Sequence, residues 1–411
     1  MKKIIILIFL MFLNLSCIKE AKKVEIIYAG LGDPAELKIM QDVLKEFEKE
    51  NPGIKVRFDH TPGNAYWEKL QTTIAGGMPP DVAYMGGEYL SSLANKGVLM
   101  ELDELIKNDK EFEINDFYPQ ILEMFKWRGK IYGIPRDLAP LVLFYNKELF
   151  DKEGLKYPSE NWKWEDLLEV SRKLTKDFNN DGIIDQFGYL VACWWGYYLP
   201  FVWQNGGDLF KPDFSECLVD RKEFIEAIQF YADMLNKYKV APSLAARYDA
   251  DLFQTSRLGM QIAGYWQIPF YSQDGSLNWD VAAVPGKKMK ATLLSGAGYS
   301  ILKGCKNVEY AWKLVKYLTS AKVQKYNASQ GLAVPALKTV AESEEFLSKP
   351  KNRVFVEAIK YAKPAPFNPK WNEIASLLDR ELEQVFLGKA KAEVVCKKVK
   401  PKIDALLKEI K

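Results

Sequence analysis

The chain has 411 residues, 48% of them apolar and 27% charged, the proportions of a globular protein long enough for two or three domains. Fifty-seven basic and 54 acidic residues leave a formal charge of only +3, so the basic footprint of a nucleic-acid binder is absent. One histidine, His60, leaves little from which to build Ser-His or Cys-His catalysis, while aromatic content is high at 13% with eleven tryptophans.

In chain order, Lys2 and Lys3 precede an unbroken apolar run over 4–13, closing on Asn14-Leu15-Ser16-Cys17. Such a run spans about 15 Å as helix, half of a hydrocarbon core of about 30 Å, and reads as a signal peptide rather than a membrane anchor. A small residue before a cysteine at that point resembles the lipobox of bacterial lipoproteins, which implies cleavage before Cys17 and lipidation of it. A plain secretory signal with an incidental cysteine is the alternative. Residues 18–23 form a polar tether, and loss of Lys2 and Lys3 with the leader takes the charge to +1.

Strand 24–29 is followed by the turn Gly30-Leu31-Gly32-Asp33-Pro34. Leu37, Met40, Leu44 and Phe47 then mark one apolar stripe of a helix, which Asn51-Pro52-Gly53 ends. Strand 54–58, a helix through Tyr66, Leu70 and Ile74, strand 81–85 and a helix over 88–96 complete a βαβ alternation. The fold class is therefore α/β with a largely parallel sheet whose loops gather at one edge. Further strands are expected at 141–145, 259–263 and 279–284. Helices are expected at 164–174, 224–235, 310–318, 321–329 and through 374–386. No flexible linker separates two halves, so any second domain must be reached by short ordered crossings.

The four cysteines after Cys17 are Cys193, Cys217, Cys305 and Cys396, and they form no CxxC or zinc pattern. Buried thiols are expected, with Cys193–Cys217 as the pair if a disulfide forms. Asp177, Asn179, Asp181 and Asp185 have the spacing that opens a calcium loop, but Gly188 stands where the bidentate Glu belongs. A structural Asp/Asn turn is the expectation, Ca²⁺ the alternative, and no other cofactor is implied. The densest aromatic run is Trp194-Trp195-Gly196-Tyr197-Tyr198, followed by Trp203-Gln204-Asn205. A sugar ring has an apolar face and a rim of hydroxyls, so it wants a flat aromatic plate with amide, carboxylate or guanidinium partners in its plane. The alternative is that these rings fill a core.

Several ordered segments resemble one family. Phe47-Glu48-Lys49-Glu50-Asn51-Pro52-Gly53-Ile54-Lys55-Val56, Gly76-Gly77-Met78-Pro79-Pro80-Asp81-Val82 and Gly97-Val98-Leu99-Met100-Glu101-Leu102-Asp103 are similar to successive elements of family 1 extracellular solute-binding proteins. So are Gly129-Lys130-Ile131-Tyr132-Gly133-Ile134-Pro135, Phe144-Tyr145-Asn146-Lys147-Glu148-Leu149-Phe150 and Trp162-Lys163-Trp164-Glu165-Asp166-Leu167. These proteins, related to maltose-binding protein, are the sugar-binding subunits of ABC importers. The resemblance implies a periplasmic-binding-protein type II fold, with two α/β lobes, a three-segment hinge and an interlobe ligand cleft. Lobe 1 would comprise 24–136 and 296–333, and lobe 2 would comprise 139–293 and 336–411. Crossings would fall near 136–140, 293–298 and 333–336.

The resemblance also implies site residues. Tyr28, Asp33, Glu88 and Arg136 would face the cleft from lobe 1, and Trp194, Trp195, Trp203, Asn205 and Trp371 from lobe 2. Trp266, after Gly264-Tyr265, would be presented into the cleft, and Gly296 and Tyr299 would lie at the second hinge segment. The implied function is capture of a mono- or oligosaccharide by lobe closure and its delivery to ABC permease subunits. The protein would be a non-enzymatic monomer, lipid-anchored to a bacterial membrane in the periplasm or at the cell surface. A non-sugar solute such as a glycerol-phosphate-like anion, for which Arg136 is the one obvious base, is the alternative. A secreted glycoside hydrolase is the rival from another class.

Overall fold

Alternation in the first strand decides which way it faces. In β1, Val24–Gly30, the side chains of Ile26 and Tyr28 enter the core while Glu25 stays outside. This computed structural model describes residues 23–245, 251–273 and 275–410; the leader, with Cys17, lies outside the described residues. Strand β1 pairs in parallel with β2, Ile54–His60, and with β3, Val82–Gly86. The intervening helices are α1, Pro34–Glu50, and α2, Ala65–Ala75. They bury Met40, Leu44 and Phe47, and Tyr66 and Leu70, the stripes their spacing predicts.

A capping box starts α1. The Glu36 N–H donates to Asp33 Oδ1 at 2.9 Å, and the Asp33 N–H donates back to Glu36 Oε2 at 3.4 Å, with Pro34 in the first helical position. On its other side β3 pairs antiparallel with Ala297–Ile301, which pairs in turn with Ile134–Pro135. The five-stranded sheet of lobe 1 thus takes in a strand from far down the chain and ends on Ile134–Pro135.

Lobe 2 is built on a second sheet, ordered Trp279–Ala282, Val142–Asn146, Leu258–Ala263, Phe187–Tyr189. Helices Trp195–Gln204, Lys222–Asn236, Trp371–Phe386 and Ala392–Lys408 pack into one core with Trp164, Tyr231 and Phe386. The first and last of these helices were not legible in the sequence. Each carries an internal proline, Pro200 and Pro401, a residue that ordinarily breaks a helix.

Between the lobes runs a third sheet, ordered Val334–Pro335, Asp137–Pro140, Thr292–Ser295, Ala362–Pro364. Its first three members are the stretches where the chain passes from one lobe to the other. The fourth, Ala362–Pro364, was not anticipated. Gly296 sits where two of these segments come closest. A Cβ there would lie 2.6 Å from both the Asp137 carbonyl oxygen and Ile121 Cδ1, so only glycine fits. No described helix is long and apolar enough to cross a membrane.

Candidate functional site

The first strand of the hinge sheet begins immediately after Arg136, and this places its guanidinium at the junction of the lobes. Its side chain is 11% exposed, its Nε lies 2.5 Å from Asp137 Oδ2, and its Nη2 is 3.6 Å from Glu36 Oε1. The guanidinium also stacks 5.3 Å from the Tyr84 ring centre. Burial disfavours its charge, but the neighbouring Asp137, tyrosines and Glu36 outweigh that cost and hold it firmly protonated. Asp137 is held on both sides, because its Oδ1 accepts the Ala297 N–H at 2.9 Å. A guanidinium has five N–H donors, and these ion pairs engage only part of them, so hydrogen bonding to a ligand remains chemically open.

Glu88 enters from the same lobe, in the first turn of the helix Gly87–Asn95. Burial raises its carboxyl above the usual range. The backbone here touches the other lobe. A Cβ on Gly87 would sit 3.0 Å from the Phe367 ring, and Phe367 opens a run of aromatics leading into lobe 2. Its centroid is 5.2 Å from Trp371 and 5.9 Å from Trp195, both edge to face. Trp195 meets Trp371 at 4.9 Å and Trp194 at 5.0 Å. Trp194 and Trp195 are half-buried, whereas Trp371, which packs against Trp195, is 1% exposed.

Asp379 is what aims this pair. It accepts the Tyr198 hydroxyl at 2.6 Å and a backbone N–H from Trp195, tying down the start of the helix Trp195–Gln204. Burial pushes its carboxyl up to about 6 against those hydrogen bonds.

Past the strand Leu258–Ala263 the side chains alternate sharply. Tyr265 is buried with its hydroxyl donating to Asn352 Oδ1 at 3.0 Å, while Trp266 is 43% exposed. Pro269 in the following helix lies 3.5 Å from where a Gly331 Cβ would be. That contact brings the helix against the segment leading to the hinge strand Val334–Pro335. Arg136 shares a small cavity with Leu332 and Val334 of the same segment.

Five expected ligand residues have buried side chains: Trp371, above, and Trp203, Asn205, Tyr28 and Tyr299. Trp203 is 1% exposed in the lobe 2 core, its indole N–H donating to Asp208 Oδ1 at 3.0 Å. Asn205 is equally buried, with its amide donating to the Glu223 carbonyl and to Glu226 Oε2. Both belong to the inward face and C-cap of a helix whose turn geometry was invisible in the aromatic run. Tyr28 and Tyr299 are buried beside Arg136; Tyr28 stacks on Phe58 at 5.0 Å and meets Tyr299 edge-on at 5.8 Å. Gly296 serves strand approach, as described above. Asp33 does reach the exposed mouth of β1, where it also caps α1.

Residues that sequence reasoning missed are Glu36, Tyr84, Phe367 and Asp379. Only Glu36 carried a local signal, the Asp-x-x-Glu spacing of the capping box.

The acidic turn is knitted by its own backbone. Asp177 Oδ2 accepts the Gly182 N–H at 2.8 Å, Asn179 Oδ1 the Asp181 N–H at 3.0 Å, Asp181 Oδ1 the Ile183 N–H at 2.7 Å and Asp185 Oδ2 the Phe178 N–H at 2.8 Å. Among the described residues no group of three or more His, Cys, Asp or Glu side chains is arranged to hold a metal. Among the described residues Cys193, Cys217, Cys305 and Cys396 form no disulfide. Cys193 does not pair with Cys217 but donates to the Asp379 carbonyl at 3.2 Å, and burial pushes the thiols of Cys217 and Cys396 up to about 12.

Two α/β lobes, a hinge sheet of short strands and a junction lined by aromatics and ion-paired polar groups define a two-lobed solute-binding protein. The chain belongs to the bacterial extracellular solute-binding protein family, whose profile matches residues 32–325. It is similar to an ABC substrate-binding protein of Listeria monocytogenes solved in complex with cycloalternan. The two are 30% identical, the match covers 94% of this chain and 100% of that one, and the TM-score is 0.86. A solute-binding protein of Thermotoga lettingae bound with α-D-tagatose is 27% identical over 94% of this chain and 100% of that one, with a TM-score of 0.81. The galactooligosaccharide-binding protein of Bacillus subtilis is 27% identical over 85% of this chain and 82% of its own length.

Proposed function

We propose that the protein is the substrate-binding component of a carbohydrate ABC importer, closing its lobes on a saccharide and presenting it to a membrane permease. The observation that carries this reading is Trp266, a large ring left 43% exposed beside the lobe junction while its neighbour Tyr265 is buried. An aromatic plate of that kind suits the C–H face of a sugar, and Trp194 and Trp195 extend it on the same lobe. Across the junction, Arg136, Asp33 and Glu88 supply donors and acceptors for ring hydroxyls. Relatives named for galactooligosaccharide and solved with cycloalternan support the ligand class.

The polar groups argue for binding rather than hydrolysis. A glycosidase needs two carboxyl groups about 5–9.5 Å apart across the scissile bond, one to protonate the leaving oxygen and one to attack the sugar or activate a water. Here Asp137, the carboxylate at the lobe junction, is locked in an ion pair with Arg136. The lipobox-like end of the leader supports anchoring through Cys17 outside the cytoplasm, with the protein acting as a monomer. A glycerol-phosphate-like anion fits less well, since Arg136 is already paired with Asp137 and Glu36.

A thermal-shift screen of mono- and oligosaccharides tests the reading, because ligand at 100 times its Kd stabilises the fold by about 2.7 kcal/mol. A melting point moved by a peptide, a polyamine or a phosphate ester, and by no sugar, would overturn it.

A further inference from the structure

Helix α1 runs back from the mouth of β1, and its 17 residues carry its last turn about 25 Å away from Asp33. There it meets the helix Val308–Leu318 and the loop around Phe112, and the three enclose a cavity of about 520 Å³. Phe47 and Phe117 form a buried floor. The half-buried rings of Tyr317 and Phe112 stand against them, at 5.1 Å from Phe47 and 6.0 Å from Phe117 respectively. No residue proposed above to meet sugar lines this cavity.

Its rim is acidic. Lys316 is engaged by Asp109 at 2.5 Å, and Glu50 by Lys322. Among the described residues Glu111, Glu113 and Asp116 are in no ion pair, and Lys313 is the one unpaired base beside them. Three carboxylates thus stand against one ammonium over an apolar floor. That combination suits a lysine-bearing segment, whose methylene stems can lie on rings while the ammonium groups reach the carboxylates.

The chain carries such a segment at that place. The Val24 N–H donates to the Gly53 carbonyl and the Ile54 N–H to the Asn51 carbonyl, both at 2.9 Å, so the chain enters lobe 1 beside Asn51, which lines the cavity. Before it stand Ile18-Lys19-Glu20-Ala21-Lys22, outside the described residues, and the exposed Lys23. Three lysines and one glutamate give this stretch a charge opposite to that of the rim. Five residues reach at most about 18 Å, enough to bring Lys19 and Lys22 to the carboxylates.

We propose that residues 18–22 dock in this cavity, with their lysines among Glu111, Glu113 and Asp116, so that the tether is held along lobe 1. With Cys17 as the lipid anchor, docking keeps the α1 end of lobe 1 against the membrane. It does not depend on which solute the cleft takes.

The test is tryptic cleavage after Lys19 and Lys22 in the non-acylated mature chain, residues 18–411, read by mass spectrometry. Cleavage after the exposed Lys408 is the internal standard. Glu111 and Glu113 are exposed, so Glu111→Gln with Glu113→Gln keeps the fold and adds no tryptic site. At about 20 mM salt this double variant should lose its tether roughly 3- to 10-fold faster than wild type, and about 0.5 M salt should speed the wild type likewise. A double variant cut no faster than wild type, whatever salt does, would overturn the docking and leave the cavity to an occupant from outside the chain.

Discussion

The ring of Trp266 folds back over Gly264, so closely that a Cβ on Gly264 would stand 1.9 Å from the indole. The glycine is what lets an exposed tryptophan lie flat against the end of its strand. Gly264→Ala should swing the ring out of place and weaken sugar binding about as much as Trp266→Ala does. A platform ring at a binding hot spot is worth about 2–4 kcal/mol, or roughly 30- to 1,000-fold in Kd. Calorimetry on both variants checks this. Wild-type affinity in Gly264→Ala would mean that the ring's position does not matter.

Trp203 should behave in the opposite way. It is 1% exposed in the lobe 2 core, so Trp203→Ala should cost about 3–5 kcal/mol of fold stability. Kd, measured well below the lowered melting temperature, should stay close to wild type. A large loss of affinity with little loss of stability would return Trp203 to the binding surface.

Asp379 gives the fold a pH dependence. Its carboxyl is raised to about 6 by burial, from near 3.8 when unfolded. Between those values the folded state holds more protons than the unfolded state, so this group's contribution falls as pH rises from about 4 to about 6. Above that it costs at most about 3 kcal/mol. Asp379→Asn can still accept the Tyr198 hydroxyl while removing the buried charge. The variant should therefore melt higher than wild type at pH 7.5, and the gap should shrink to about a third of that by pH 4.5. Denaturation curves at the two pH values decide it; an equal loss of stability at both would show that the hydrogen bonds matter and the charge does not.

Cys17→Ser should abolish acylation in a bacterial host, releasing a soluble form or stalling leader removal. Mass spectrometry of the mature N-terminus is the check. A chain cut downstream of residue 17, carrying no acyl group, would remove the lipid anchor from the account.

Local order was legible along the chain because it is written in local terms. Met40, Leu44 and Phe47 recur at helical spacing, β1 alternates, and Gly97 lies just beyond the helix that it ends. Each such element answers to its own few residues. The ordered family segments added the two-lobed plan.

What no local pattern contains is which side of an aromatic run meets solvent. Trp194, Trp195 and Trp203 look alike in sequence, yet a proline-containing helix turns the first two toward the junction and the third into the core. The same holds for Phe367 and Asp379. Their roles depend on contacts with Gly87 and Tyr198, residues far away in the chain that approach only when the hinge strands and the last helices have packed. The sequence alone determined the elements and the family. Tertiary packing decided the ligand-facing surface, because burial is a property of the assembled lobes and not of any one segment.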